Sequence, residues 1–268
     1  MEYWLKMTSL SVRIIPCIDV NYNRMVKRTR SSNLTSIESP TLLANKYSVS
    51  GADELCFLNI AASAAKKIIL YDTISRISES CFIPLTVGGG VRKIKDVGNL
   101  LKAGADKVVI NSVSIANLKF IANCIERFGG QCIVSSVDCK AINGTWEVVS
   151  HNGLRSTGID ALDYICRLVQ YGVNEILLTS IDRYGTNDGY DIALLKSVSQ
   201  LVNVPIIASG GGSEFRHVAS AIIEGGASAV LLASALHHNR YSISQLKYFL
   251  GKCGILIRDD YINNGLLD

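Results

Sequence analysis

The chain has 268 residues, of which 48% are hydrophobic and 19% charged, with a formal net charge of +4. That length suits one α/β barrel or two small domains, and the composition excludes a disordered chain. The small positive charge gives no argument for nucleic acid and is compatible with an anionic small substrate.

The first ten residues, MEYWLKMTSL, lack an apolar core followed by a small-residue cleavage site, so no signal peptide is expected. Apolar runs such as residues 229–236 are too short for a membrane span and fit buried strands. A cytoplasmic protein is the expectation. Organised patterning begins near Val12 with Arg13-Ile-Ile-Pro-Cys-Ile-Asp19, a strand-like run. Residues 39–50 then read as a helix, with Ser39 as N-cap and Pro40 at the first helical position. Gly51-Ala-Asp-Glu-Leu-Cys-Phe-Leu58 gives a second strand and Ile83-Pro-Leu-Thr-Val-Gly-Gly-Gly90 a third. Residues 93–103 place Ile94, Val97, Leu100 and Leu101 at helical spacing. Gly104-Ala-Asp-Lys-Val-Val-Ile-Asn-Ser112 is a fourth strand and Cys132-Ile-Val-Ser-Ser-Val-Asp138 a fifth. Gly172-Val-Asn-Glu-Ile-Leu-Leu-Thr179 and Val204-Pro-Ile-Ile-Ala-Ser-Gly-Gly211 follow. After a helix over residues 214–224 comes an eighth strand, Gly226-Ala-Ser-Ala-Val-Leu-Leu-Ala-Ser234.

The last four strand blocks repeat the first four, in the same order, at offsets of 119, 121, 121 and 122 residues. Each block is rich in Val and Ile, as strands buried on both faces of a parallel sheet are. Two similar (β/α)4 halves predict an α/β protein with a closed (β/α)8 TIM barrel. An open doubly wound sheet has no reason to consist of two like halves. The expected layout is one barrel domain over residues 1–268. It comprises an extension (1–11), half-barrels over about 12–130 and 131–258, and a tail (259–268).

In such barrels the chemistry sits at the C-terminal ends of the strands. Glycine clusters occur there twice, at Gly88-Gly89-Gly90 and at Ser209-Gly210-Gly211-Gly212. Asn111-Ser112 and Ala233-Ser234 follow the neighbouring strands. Glycine lets backbone N–H groups approach a phosphate, and two repeat-related sites predict a substrate with two phosphates. Asp19 and Asp138 end repeat-equivalent strands and should face each other across the mouth, as a base and an acid would. The competing reading makes them N-caps of the following helices. The eight cysteines contain no CxxC pair and the four histidines no ligand spacing. Reduced buried thiols and no metal are therefore expected.

Ile15-Pro-Cys-Ile-Asp-Val20, Thr86-Val-Gly-Gly-Gly90, Gly104-Ala-Asp-Lys107, Asn111, Leu178-Thr-Ser-Ile-Asp-Arg183, Gly185-Thr186, Gly189-Tyr-Asp191 and Ile207-Ala-Ser-Gly-Gly211 resemble the cyclase subunit family of imidazole glycerol phosphate synthase. The similarity runs from about Val12 to Arg258. The resemblance implies a lyase of histidine biosynthesis within a glutamine amidotransferase complex. A glutaminase partner at the barrel bottom would supply ammonia, which crosses the barrel and attacks a bis-phosphorylated formimino ribonucleotide. Imidazole glycerol phosphate and an aminoimidazole carboxamide ribotide would leave, and no cofactor is implied. Asp19 would be the general base and Asp138 the general acid. Lys27, Gly89, Gly90, Asn111, Thr179, Asp182, Gly185, Ser209, Gly210, Gly211 and Ser234 would hold substrate. Arg13, Glu54, Lys107 and Glu175 would form the ammonia gate, and Asp106 would contact the glutaminase.

Departures from the family pattern cluster at the mouth. The first loop loses glycine at Asn23 and Arg28 and an aromatic at Ser31. Asn59 and Tyr184 stand where the family has aspartates, and Ser156 where it has asparagine. These changes keep open a paralogue that channels ammonia for acetamidino-sugar formation in bacterial surface polysaccharide. A sugar-phosphate isomerase of the sister family would share the repeat and the aspartates but has no use for the gate.

Overall fold

The computed structural model describes residues 10–21, 24–25, 39–59, 69–151 and 153–258. Its strands are β1 (Arg13–Asn21), β2 (Arg24–Met25), β3 (Leu55–Asn59), β4 (Leu85–Gly88), β5 (Lys107–Ile110), β6 (Ile133–Ile142), β7 (Thr145–Ser150), β8 (Arg155–Asp160), β9 (Ile176–Ser180), β10 (Ile206–Ser209) and β11 (Ala229–Leu232). Eight of them, β1, β3, β4, β5, β6, β9, β10 and β11, pair in parallel in that order. The ring closes where β11 pairs with β1, Arg13 beside Ala229 and Pro16 beside Leu232. The expected (β/α)8 barrel is therefore the fold.

Period-two alternation sorts each barrel strand between two cores. Ile14, Ile18 and Val20 of β1 point outward into the large cluster shared with the helices. Ile15 and Cys17 point inward, joining Cys56, Val109, Val134, Leu177, Ile207 and Ala229 in the lumen.

The helices are α1 (Pro40–Val49), α2 (Tyr71–Ser80), α3 (Ile94–Lys102), α4 (Ser112–Ala116), α5 (Leu118–Phe128), α6 (Ala161–Gln170), α7 (Ile192–Leu201), α8 (Phe215–Ile223), α9 (Ser234–His237) and α10 (Ile243–Lys252). In α6 the buried residues Ala161, Tyr164, Ile165 and Leu168 form one stripe at helical spacing. Its start is fixed by Asp160, whose carboxylate accepts from the N–H groups of Leu162 and Asp163, a cap worth about 1 kcal/mol. Helix α1 begins at Pro40 as expected, but the Ser39 side chain makes no capping bond. Pro40 lacks an N–H and already fixes the first helical turn.

Three features depart from the sequence reading. The short helices α4 and α9 add to the eight long ones. Both follow repeat-equivalent strands, and neither is long enough to show a helical period. Second, β6 does not stop at Asp138 but runs on to Ile142 and turns back as β7 and β8. Third, β1 continues past Asp19 and pairs antiparallel with β2. Both aspartates thus sit inside strands, where the chain leaves the barrel wall, and neither is a helix N-cap. No helix among the described residues is long and apolar enough to cross a membrane.

The eight cysteines are unpaired, and Cys17, Cys56, Cys81, Cys124 and Cys139 are buried. Burial pushes the Cys124 thiol up to about 11 and the Cys139 thiol further still. Alkylation of the native protein at pH 8 should therefore modify exposed Cys253 first. Cys17, Cys124 and Cys139 should react only after denaturant is added, which peptide mass mapping would read.

Candidate active site

A cavity of about 830 Å³ opens at the C-terminal ends of the barrel strands. Asp19 and Asp138 both line it. Their strands, β1 and β6, are first and fifth in the ring of eight and so stand on opposite sides. Asp19 is 5% exposed and Asp138 9%. Such burial is costly for a carboxylate without hydrogen-bond donors, and each has at least one. The amide of Asn111, just after β5, donates to Asp138 Oδ2 at 3.2 Å. The Tyr184 hydroxyl donates to Asp19 Oδ2 at 2.9 Å, and Cys17 Sγ lies 3.5 Å from Asp19 Oδ1. Hydrogen bonding with Cys56, burial and the charge of Asp19 hold the Cys17 thiol well above its ordinary range, so it stays protonated.

The two glycine turns reach the same cavity. Gly89 and Gly90 have φ of 100° and 82°, and Gly210 and Gly211 have 97° and 93°. Side chains other than glycine rarely adopt that backbone region. Space excludes them too, because a Cβ on Gly89 would lie 2.2 Å from the Asn59 carbonyl oxygen. A Cβ on Gly211 would lie 2.2 Å from the Gly189 carbonyl oxygen. Asn111 and Ser112 join the first turn in lining the cavity, and Ser209 and Ser234 join the second. Thr179 and Gly185 line it between them.

Asp182 is not among the lining residues. Its carboxylate accepts from the N–H of Ala141 at 2.7 Å and ties the loop after β9 to the extension of β6. Lys27, and with it Asn23, Arg28 and Ser31, lies outside the described residues. Arg92, His151, Tyr184 and His237 are among the further lining residues that the sequence did not assign to substrate. Arg92 stands two positions after Gly90 and His237 three after Ser234, so proximity to the glycine and serine motifs was an available signal for both. His237 is held by Tyr47, whose hydroxyl lies 2.6 Å from its Nδ1.

At the opposite end of the lumen four charged side chains close a ring. Arg13 reaches Glu54 at 2.6 Å and Glu175 at 2.5 Å. Lys107 reaches Glu54 at 3.0 Å and Glu175 at 2.8 Å. Thr86 adds a hydroxyl to Glu54 at 2.6 Å. Each cation thus bridges both anions, and the ring satisfies four charges that barrel parity turns inward. Asp106 lies beside this end, exposed, with its carboxylate accepting from the N–H of Leu85 at 2.8 Å. Among the described residues no group of three or more His, Cys, Asp or Glu could hold a metal ion.

Residues 13–242 match the family model of the histidine biosynthesis proteins. The chain is also 47% identical, over 249 residues, to imidazole glycerol phosphate synthase subunit HisF of Hyphomonas neptunium (strain ATCC 15444). That alignment covers 93% of this chain and 99% of the relative. The chain belongs to the HisF family. The two aspartates, both glycine turns and all four charged residues fall within the matched span of this HisF-family chain.

The ring gives a direct energetic test. Glu54 is 2% exposed and accepts from Arg13, Lys107 and Thr86. Removing one partner of a buried ion pair strands the others, typically at about 3 kcal/mol or more. Solvent at Arg13 and Lys107, whose side chains are 25% and 20% exposed, relieves part of that. Glu54→Gln should therefore lower unfolding stability by about 2–3 kcal/mol in denaturant titration.

Proposed function

We propose that this chain is the ammonia-using cyclase subunit of an imidazole glycerol phosphate synthase in histidine biosynthesis. A glutaminase subunit docks over the charged ring, and ammonia crosses the apolar lumen to the mouth. There it attacks a formimino ribonucleotide with two phosphates, giving imidazole glycerol phosphate and an aminoimidazole carboxamide ribotide. The observation that carries this reading is the pairing of two ends on one lumen. Asp19 and Asp138 oppose each other at the mouth, and a four-residue ion ring sits on the same inward parity at the floor. A sugar-phosphate isomerase would need the first end and not the second.

Attack by ammonia requires a proton to leave nitrogen and another to reach the departing group. Asp19 takes the first and Asp138 supplies the second. Asn111 holds the Asp138 carboxyl in place, while Gly89 and Gly90 on one side and Gly210, Gly211 and Ser234 on the other receive the phosphates. Arg92 supplies positive charge near the first cradle, and His237 places an imidazole near the second. Fixed dipoles and acid–base groups suffice for such a reaction without a cofactor. The protein works in the cytoplasm.

The ammonia-channelling paralogue shares the ring and the lumen. Asn59 and Tyr184 at the mouth are the observations in its favour, because both remove negative charge next to the substrate. Assay of the purified chain with the ribonucleotide and ammonium, following release of the carboxamide ribotide, separates the readings. Turnover is expected, and Asp19→Asn or Asp138→Asn should each reduce kcat at least about a hundredfold. Absence of turnover from folded native protein would transfer the assignment to the paralogue.

Asp106 offers a test of the partner face. Asp106→Asn retains an acceptor for the Leu85 N–H and removes only the charge. It should weaken glutaminase binding in calorimetric titration while leaving ammonium-dependent kcat unchanged. Equal affinity for the glutaminase would move the docking face elsewhere.

A further inference from the structure

We propose that Tyr184 positions Asp19 for proton transfer. This rests on the reading of Asp19 as the general base. Tyr184 occupies a position where the family pattern has an aspartate, so its hydroxyl is a departure from that pattern.

The geometry is a crossing of the mouth. Tyr184 lies in the turn after β9, and β10 and β11 separate β9 from β1 in the ring. Its hydroxyl nevertheless reaches Asp19 Oδ2 at 2.9 Å. The loop carrying it is braced on three sides. The N–H of Ile181 donates to Cys139 at 2.8 Å, Asp182 accepts from Ala141 at 2.7 Å, and the N–H of Gly189 donates to Gly211 at 3.0 Å. Tyr184 itself is tied within the turn, its N–H donating to the Ile181 carbonyl at 3.3 Å. The phenol is therefore presented from a fixed frame.

An aspartate carboxyl turns broadly about its last torsion. A donor held on one oxygen fixes the carboxyl plane, and a hydrogen bond to an ionised acceptor is among the stronger kind. A carboxylate oxygen has more than one acceptor direction, so the bond from Tyr184 does not by itself block proton transfer to Asp19. An aspartate at position 184 would place a like charge near the base, whereas the phenol stabilises its charged form. The same loop packs on the second glycine turn, where a Cβ on Gly211 would come within 3.1 Å of Arg183 Cβ. One loop thus touches both the base and a phosphate cradle.

Tyr184→Phe keeps the ring and deletes the donor. Steady-state kinetics of the full chain with the ribonucleotide and ammonium should show kcat reduced roughly tenfold to a hundredfold, on the scale that misplacement of a reacting group produces. KM should change less than twofold and the melting temperature should hold. The solvent deuterium isotope effect on kcat should rise, because proton transfer becomes slower relative to other steps. A kcat equal to or above that of the native chain overturns the proposal, as the phenol would then be idle or a restraint. So does a loss of kcat matched by an equal rise in KM, which marks a substrate contact, or one with an unchanged isotope effect, which marks lost enzyme. A native chain without turnover overturns the base assignment and this proposal together. Native turnover with an unimpaired Phe variant overturns this one alone.

Discussion

Closure of the parallel ring governs everything else in this protein. Once β11 pairs with β1 no strand edge remains among the eight, and every inward residue must share one lumen. Side chains alternate strictly along a strand, so a slip of one residue would exchange the two cores. Arg13, Ile15, Cys17 and Asp19 would then face the helices, and Ile14 and Ile18 would face the lumen. The register of β1 against β3, Asp19 beside Leu58, and of β6 against β9, Asp138 beside Thr179, therefore fixes the carboxylates as firmly as any local contact.

The lumen is layered as a result. Charge closes the floor, an apolar stretch built from Ile15, Val109, Val134, Leu177, Ile207 and Ala229 follows, and polar groups return at the mouth. A neutral small molecule could traverse such a middle layer without a partner, whereas an ion would lose its hydration there. The layering and the proposed passage of ammonia rather than ammonium are thus one physical statement.

Much of this was legible in the sequence because it depends on period and repeat. The half-chain repeat implied eight strands, the motifs at their C-terminal ends marked where the chemistry would sit, and the family resemblance supplied the charged floor. What escaped has other origins. The hairpin of β7 and β8 extends a barrel strand instead of following it, so the repeat gives no sign of it. Asp182 belongs to a motif shared with the family, but its carboxylate is engaged by a backbone N–H of the neighbouring strand extension. The bond from Tyr184 to Asp19 joins residues 165 apart in the chain. Sequence showed that an aspartate had been replaced there, but only the closed ring shows where the new hydroxyl arrives.

The charged ring alternates in sign around its circuit, from Arg13 to Glu54 to Lys107 to Glu175 and back. Its net charge is zero, and its dipoles largely cancel, leaving a quadrupole. The potential of a quadrupole dies away much faster with distance than that of a single ion. Asp19 lies six residues along β1 from Arg13, roughly 20 Å of strand at about 3.3 Å per residue. At that separation the ring exerts almost no field on the mouth. The two ends are electrically insulated from each other, so selection could retune the floor for a different partner without disturbing the proton affinities of the carboxylates at the mouth.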